Sequence, residues 1–281
     1  MNSRLGLGLF LFALAYAVLY VLLGRSAGPT DADFESAGLG RPLFVYVDLA
    51  AVNPVRQEAQ LQLYFADDNG PHGKHFSGSP ARDVLITVSD GDSEKDIQLR
   101  AHEPIPTVEF LIGLTGSVNA YPFDRYAANF SVKAYEGTRP DAVRAVPVTF
   151  TLWASLYDWA ITPALANQAG DGIRLDLNVR RAKPIVFFAF MTYAAMALIG
   201  ACAITIGGLV FLGVRTLEAT LTGALGAMVF ALPVLHSALP GAPPLGVGAD
   251  ILIFLWAEIA ATTGLALLVY TWARGTGGAR P

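Results

Sequence analysis

The chain has 281 residues, 53% of them hydrophobic and 15% charged, with a formal net charge of −4 and a mean hydropathy of +0.46. It is too apolar for an ordinary soluble domain, and the 20 acids against 11 Lys/Arg between Thr30 and Val179 argue against the basic face that a nucleic-acid partner requires. The single cysteine, Cys202, excludes an intrachain disulfide, so a folded domain must hold together through its own core.

Residues 5–24 form an uncharged apolar run that would measure about 30 Å as a helix. It is either a cleaved signal or an uncleaved anchor. Its length, and Arg25 where a small residue is wanted for cleavage, favour a transmembrane anchor over residues 1–24. Residues 25–40 are rich in Gly, Ala, Pro and acids and read as a linker. Short alternating runs follow at 42–50, 58–66, 83–89, 95–100, 106–113, 126–134, 146–154 and 172–181. Asp67-Asp68-Asn69-Gly70, Asp90-Gly91-Asp92 and Asp171-Gly172 punctuate them as turns. Such spacing, without a soluble helix, predicts an antiparallel β-sandwich over residues 41–183.

In the last run Ile173, Leu175, Leu177 and Val179 alternate with Arg174, Asp176 and Asn178. The alternation stops at Arg180-Arg181-Ala182-Lys183-Pro184, and no Asp, Glu, Lys or Arg appears from Ile185 until Arg215. A strand thus passes almost without a linker into a membrane helix, with Pro184 tolerated in its first turn. Residues 185–213, 219–238 and 250–272 are three spans within a transmembrane region at 184–274, and 275–281 are a cytoplasmic tail. The 185–213 run is long for one span, which Gly207-Gly208 and tilt would absorb, and Pro233 interrupts the next. The fold class is therefore a membrane α plus all-β protein, with the sandwich inserted between one N-terminal and three C-terminal helices.

The positive-inside count does not orient the chain. Arg4, Arg215, Arg274 and Arg280 on one side balance Arg25, Arg180, Arg181 and Lys183 on the other. Acids after the first span, and a long acidic domain that translocates regardless of charge, place the β domain outside the cytoplasm in a multi-pass cell-membrane protein.

Glu258 lies eight residues into the last span, about 12 Å below its start. An ionised carboxylate there costs a few kcal/mol (on the order of 3), so it must be protonated, paired or wet. Tyr16 and Tyr193 fall at the same depth on other spans and could donate to it. The site is then either a proton or cation site or a hydrogen-bonded clasp. His236 and Asp250 flank the short loop Leu239-Pro240-Gly241-Ala242-Pro243-Pro244 and read as a solvated interfacial pair, with a pH-sensitive pair as the alternative. His72-Gly73-Lys74-His75 with Asp67 and Asp68 matches no metal motif and reads as a solvated loop. Asn129-Phe130-Ser131 fits a glycosylation acceptor but falls in a predicted strand. No hydrolase elbow, phosphate loop or dinucleotide glycine pattern is present, so no enzyme, metal or cofactor is expected.

Tyr121-Pro122-Phe123-Asp124-Arg125-Tyr126 is the most unusual polar-aromatic cluster of the β domain, a turn into a strand in which Pro122 is a candidate cis residue. Together with LPVLHSALPGAPPLGVGADILIFLWAE (232–258), it resembles an uncharacterised family of membrane proteins, domain of unknown function 4436. The resemblance implies the architecture and no established activity. The order of Tyr-Pro-Phe-Asp, a Trp- and Asp-containing strand region, and a strand ending in Arg-Arg before a Pro-led span is also distantly similar to pentameric ligand-gated ion channels. That similarity implies that Tyr121, Pro122, Phe123 and Asp124 face the loop Pro240–Gly248. It also implies that Arg180, Arg181 and Pro184 mark the membrane entry, and that 219–238 lines a pore with Glu218 at its inner mouth and Thr220 and Thr222 above it. A C-terminal fourth span and the family's paired cysteines are absent.

The sequence therefore suggests an extracytoplasmic binding or sensing module coupled to four transmembrane helices, without catalysis. An oligomeric cation channel is the alternative. The expected partners are the lipid bilayer, an unknown extracytoplasmic ligand or protein, and copies of the chain itself; nucleic acid is not among them.

Overall fold

The computed structural model describes residues 30–35, 41–66, 80–138, 144–154, 156–169 and 172–276. The expected N-terminal span with Tyr16, the loop from Asp67 to His75 and residues 277–281 of the expected tail lie outside these residues, whereas residues 275 and 276 of that tail close the last helix. The described chain falls into two compact units. One takes the residues through Ser117 and Asp124–Pro184; the other takes Val118–Phe123 and the residues from Ile185 onward.

The first unit is β-rich and built from two sheets. One has the order β1-β10-β2-β3-β6: β1 Thr30–Glu35, β10 Val148–Ala154, β2 Leu43–Asn53, β3 Glu58–Ala66 and β6 Val108–Gly113. The other has the order β11-β12-β8-β4-β5: β11 Trp159–Ala169, β12 Gly172–Arg181, β8 Arg125–Glu136, β4 Val84–Ser89 and β5 Glu94–Leu99. The two-residue strands β7 (Thr115–Gly116) and β9 (Arg144–Ala145) also pair with β8. Inward side chains of both sheets form one core, with Phe65, Phe130 and Phe150 wholly buried and the Phe130 and Phe150 rings 5.6 Å apart between the sheets. The alternation that predicts the strands decides this: in β3, Ala59, Leu61, Leu63 and Phe65 are buried and the residues between them are not.

Three expectations are corrected. The pairing is not all antiparallel, because β10 runs parallel to β2, with Val148 opposite Leu43. Turn chemistry predicts only pairs of sequential strands, and β10 reaches β2 after the chain has passed through the other sheet. Residues 30–35, read as linker, form β1 on β10, with the Thr151 hydroxyl donating to Asp33 Oδ1 at 2.6 Å. β11 went unread because Pro163 interrupts it. It is an edge strand, where a missing backbone donor can be accommodated.

Two turns show the local logic. Asn53 Oδ1 accepts from the backbone of Val55 and Arg56 and closes the β2–β3 turn. Asp90, between β4 and β5, accepts from Ser93 N (2.7 Å), Ser93 Oγ (3.0 Å) and Asp92 N (3.1 Å). Its second oxygen accepts from Gly113 N on β6, tying the hairpin of one sheet to a strand of the other. Burial raises the Asp90 pKa, but these hydrogen bonds to the charged form outweigh it and leave the carboxyl below its ordinary value.

The second unit holds α1 (Lys183–Phe211) from Ile185 onward, α2 (Ala219–Ser237) and α3 (Leu255–Thr276), the last preceded by a π-helical turn at Asp250–Phe254. All three helical segments are long and apolar enough to cross a membrane. Pro233 lies inside α2, which continues through it. Gly207 does more than relieve length: a Cβ there would collide with the Gly264 carbonyl oxygen, so only glycine lets α1 and α3 approach this closely.

Asp90→Ala is expected to destabilise the full chain in detergent by about 0.5–1.5 kcal/mol, because water replaces the lost hydrogen bonds at these exposed donors. Since the native pKa is depressed, the wild-type advantage is present above the ordinary aspartate value of 3.8 and disappears as pH falls through the native one. Urea unfolding of both proteins at several pH values reads this difference; a gap that persists in acid would contradict it.

Candidate functional site

Among the described residues, each unit carries a buried polar cluster. In the β-rich unit the cluster closes β12. Positions 173, 175, 177, 179 and 181 share the buried face, so Arg181 continues the column begun by Ile173. Its Nε lies 3.2 Å from both oxygens of Asp124, and the two side chains are 1% and 0% exposed. The Tyr126 hydroxyl donates to Asp124 Oδ2 at 3.0 Å. The Arg181 guanidinium lies 4.3 Å from the centre of the Trp159 ring, and Tyr126 meets that ring edge-on at 5.9 Å. Arginine suits the position because its planar group both pairs with a carboxylate and stacks on an aromatic face. Burial, and then the Asp124 charge and hydrogen bond, push the Tyr126 hydroxyl well above its usual pKa against the opposing effect of Arg181. One residue, Ala182, follows, its N–H donating to the Asp158 carbonyl at 2.9 Å, and α1 begins at Lys183.

In the helical unit the cluster centres on Asp250, which is 3% exposed. Its Oδ1 accepts from the Tyr193 hydroxyl at 2.7 Å and lies 3.0 Å from His236 Nε2. Its Oδ2 accepts from Gly246 N at 2.9 Å. An ionised Asp250 is acceptor-only, so Nε2 carries the proton in that state. The His236 ring packs 4.9 Å from Phe254. Tyr121, beside the cis Tyr121–Pro122 bond, belongs to this unit and donates to the Pro240 carbonyl at 2.9 Å.

The four-residue turn is therefore divided. Tyr121, Pro122 and Phe123 go with the helices and Tyr121 meets the loop at Pro240, whereas Asp124 goes with the strands and holds Arg181. Arg180 is exposed on β12, and Pro184 stands in the first turn of α1.

Two pairings differ from expectation. Tyr193 binds Asp250 and not Glu258, whose Oε2 is buried without a hydrogen-bond partner among the described residues. His236 and Asp250 meet, but buried and not solvated. The reason is helix register. Gly200 touches Ala257 and Gly207 touches Gly264, the same offset of 57 that separates Tyr193 from Asp250. Small residues every seventh position lock α1 beside α3, and that lock sets Tyr193 level with Asp250. Depth counted from the helix ends does not contain this information. Trp159 and Tyr126 were not foreseen as parts of the first cluster; the alternation extended by two residues would have placed Arg181 on the buried face and called for partners.

Glu218, Thr220 and Thr222, the residues a channel resemblance would set along a pore, are all exposed at the start of α2. A groove of about 570 Å³ beside them is lined by Leu217, Ala219, Thr222, Leu268, Val269 and Trp272, an almost wholly apolar set. Among the described residues no group of three or more His, Cys, Asp or Glu could hold a metal ion.

Removing one member of the Asp124–Arg181 pair leaves a buried unpaired charge. Asp124→Leu is expected to cost about 3–5 kcal/mol, and adding Arg181→Met to recover most of that loss. A double-mutant unfolding cycle on the full chain measures it, and additive losses would exclude the coupling. In the helical unit, Gly207→Leu should force α1 from α3 and lower thermal stability in detergent, whereas Gly208→Leu, where an added Cβ meets nothing within 4 Å, should not. Equal effects from both would contradict the close-contact register.

The family model described as Domain of unknown function (DUF4436) matches residues 33–180, more than half of the chain. A second, Domain of unknown function (DUF8686), matches residues 181–275. Neither description is of a ligand-gated channel, and no curated protein matches.

Proposed function

Since the chain belongs to the family described as Domain of unknown function (DUF4436), whose description names no activity, we propose from its own geometry that it is a membrane-anchored binding or sensing module. In this reading the β-rich unit stands outside the cytoplasm and engages a ligand or protein there. The apolar helices cross the cell membrane, and the protein performs no chemical step.

One observation carries the reading. The end of β12 is fixed by the buried Arg181–Asp124 pair, and the chain enters an apolar helix after a single residue. A strand held at its last residue cannot absorb displacement in a flexible tether, so strain imposed on the β-rich unit passes along the backbone to the start of α1. The acidic, strand-built body and the three apolar helices support the division of labour.

Orientation and binding are tested together. In a Cys202→Ala background, Tyr157→Cys provides a label site at a residue 78% exposed on the β-rich unit. It should react with a membrane-impermeant maleimide in intact cells; reaction only after permeabilisation would overturn the outside placement. A photo-crosslinking residue at Leu111, exposed on edge strand β6, should yield a discrete, saturable adduct in those cells. Adducts that are unsaturable and the same from any exposed position would count against a binding role.

A further inference from the structure

Arg180 lies directly opposite Arg125 in the register of β12 and β8, and both side chains are exposed on the outer face. Like charges facing each other weaken an antiparallel pair. The third neighbour in that row, on β11, is Ala160, so no acid relieves them. Three residues on, Lys183 is exposed at the first position of α1. Among the described residues, none of Arg125, Arg180 and Lys183 has an ion pair or a side-chain hydrogen bond, in contrast to Arg181. The nearest acids in sequence and register are Asp176, two outward positions up β12, and Asp158 in the turn beside Ala182. Neither forms an ion pair with them, although residues 30–179 hold 20 acids. Tyr157 in the same turn is 78% exposed.

Three uncompensated cations at the end of an otherwise acidic unit call for an external anion, and their place in the chain says which. Lys183 opens a helix of membrane-spanning length, where basic side chains and amphipathic aromatics such as tyrosine meet the headgroup layer. We infer that Arg125, Arg180 and Lys183 form a docking surface for the phosphate groups of anionic phospholipids. The surface tethers the end of β12 to the headgroup layer and relieves the repulsion between the two arginines. The inference rests on the membrane placement of α1 and is independent of which side the β-rich unit faces.

The test uses the full chain in a neutral detergent, read by thermal unfolding and by native mass spectrometry during titration with phosphatidylglycerol, phosphatidylcholine or inorganic phosphate. Phosphatidylglycerol should bind preferentially and raise the unfolding temperature. Arg125→Gln, Arg180→Gln and Lys183→Gln should each weaken that preference about fivefold, the equivalent of roughly one charge at an anionic surface. Without lipid, Arg180→Gln should unfold no earlier than wild type, which separates loss of the lipid site from loss of the fold. Equal stabilisation by inorganic phosphate would assign the surface to a free anion and overturn the lipid source. An undiminished preference in the triple variant would overturn the site itself. A chain that does not reconstitute into bilayers at all would instead remove the membrane reading beneath both proposals.

Discussion

A guanidinium buried to 1% exposure must be paired on the spot, and the pairing of Arg181 with Asp124 organises the end of the β-rich unit. Desolvating two ions costs several kcal/mol, so the pair is a poor source of net stability compared with well-packed apolar residues. It gives instead a fixed position. Arg181 reaches the Asp124 carboxylate only if β12 and β8 hold the register that sets Val179 against Tyr126 and Arg180 against Arg125. A slip of one residue would turn Arg181 outward and leave Asp124 buried alone. Tyr126 donates a further hydrogen bond to Asp124, and Trp159 covers the face of the guanidinium. β12, the strand that leads into α1, therefore ends at a defined atom and not in a frayed tail.

The helical unit depends on a different constraint, how closely two backbones approach. In an apolar solvent, association of helices gains little from hydrophobic burial and relies on packing and on hydrogen bonds between side chains. Gly207 and Gly264, with Gly200 and Ala257 one heptad away, supply the close approach between α1 and α3. The same register brings the Tyr193 hydroxyl to Asp250, where His236 and the Gly246 amide are further partners. A buried carboxylate is thereby tolerated at the start of the last helix. Glu258, two turns further along, has no comparable set among the described residues.

The sequence was legible where a period carried the information. The two-residue alternation of 58–66 and 172–181 gave those strands almost to the residue, and unbroken apolar length gave the three helices. It was illegible where a strand is defined by its partner. β1 turns only Ala32 and Phe34 toward the core, too short an alternation to read without the neighbouring β10 whose Phe150 it packs against, and β11 contains a proline that only an edge position tolerates. The seven-residue spacing of Tyr193, Gly200 and Gly207 was also present, but reading it required knowing that α3 is the neighbour.

What the amino-acid order settled by itself is the division into a strand-built acidic portion and an apolar helical portion, because hydrophobic period and run length are local properties of the chain. The tertiary structure alone decided which strand runs parallel to which, that Asp124 and Tyr121, three residues apart, serve different units, and that Asp250 and not Glu258 receives Tyr193. Those choices are made by long-range register, and register is fixed by the simultaneous fit of many side chains that no local window contains.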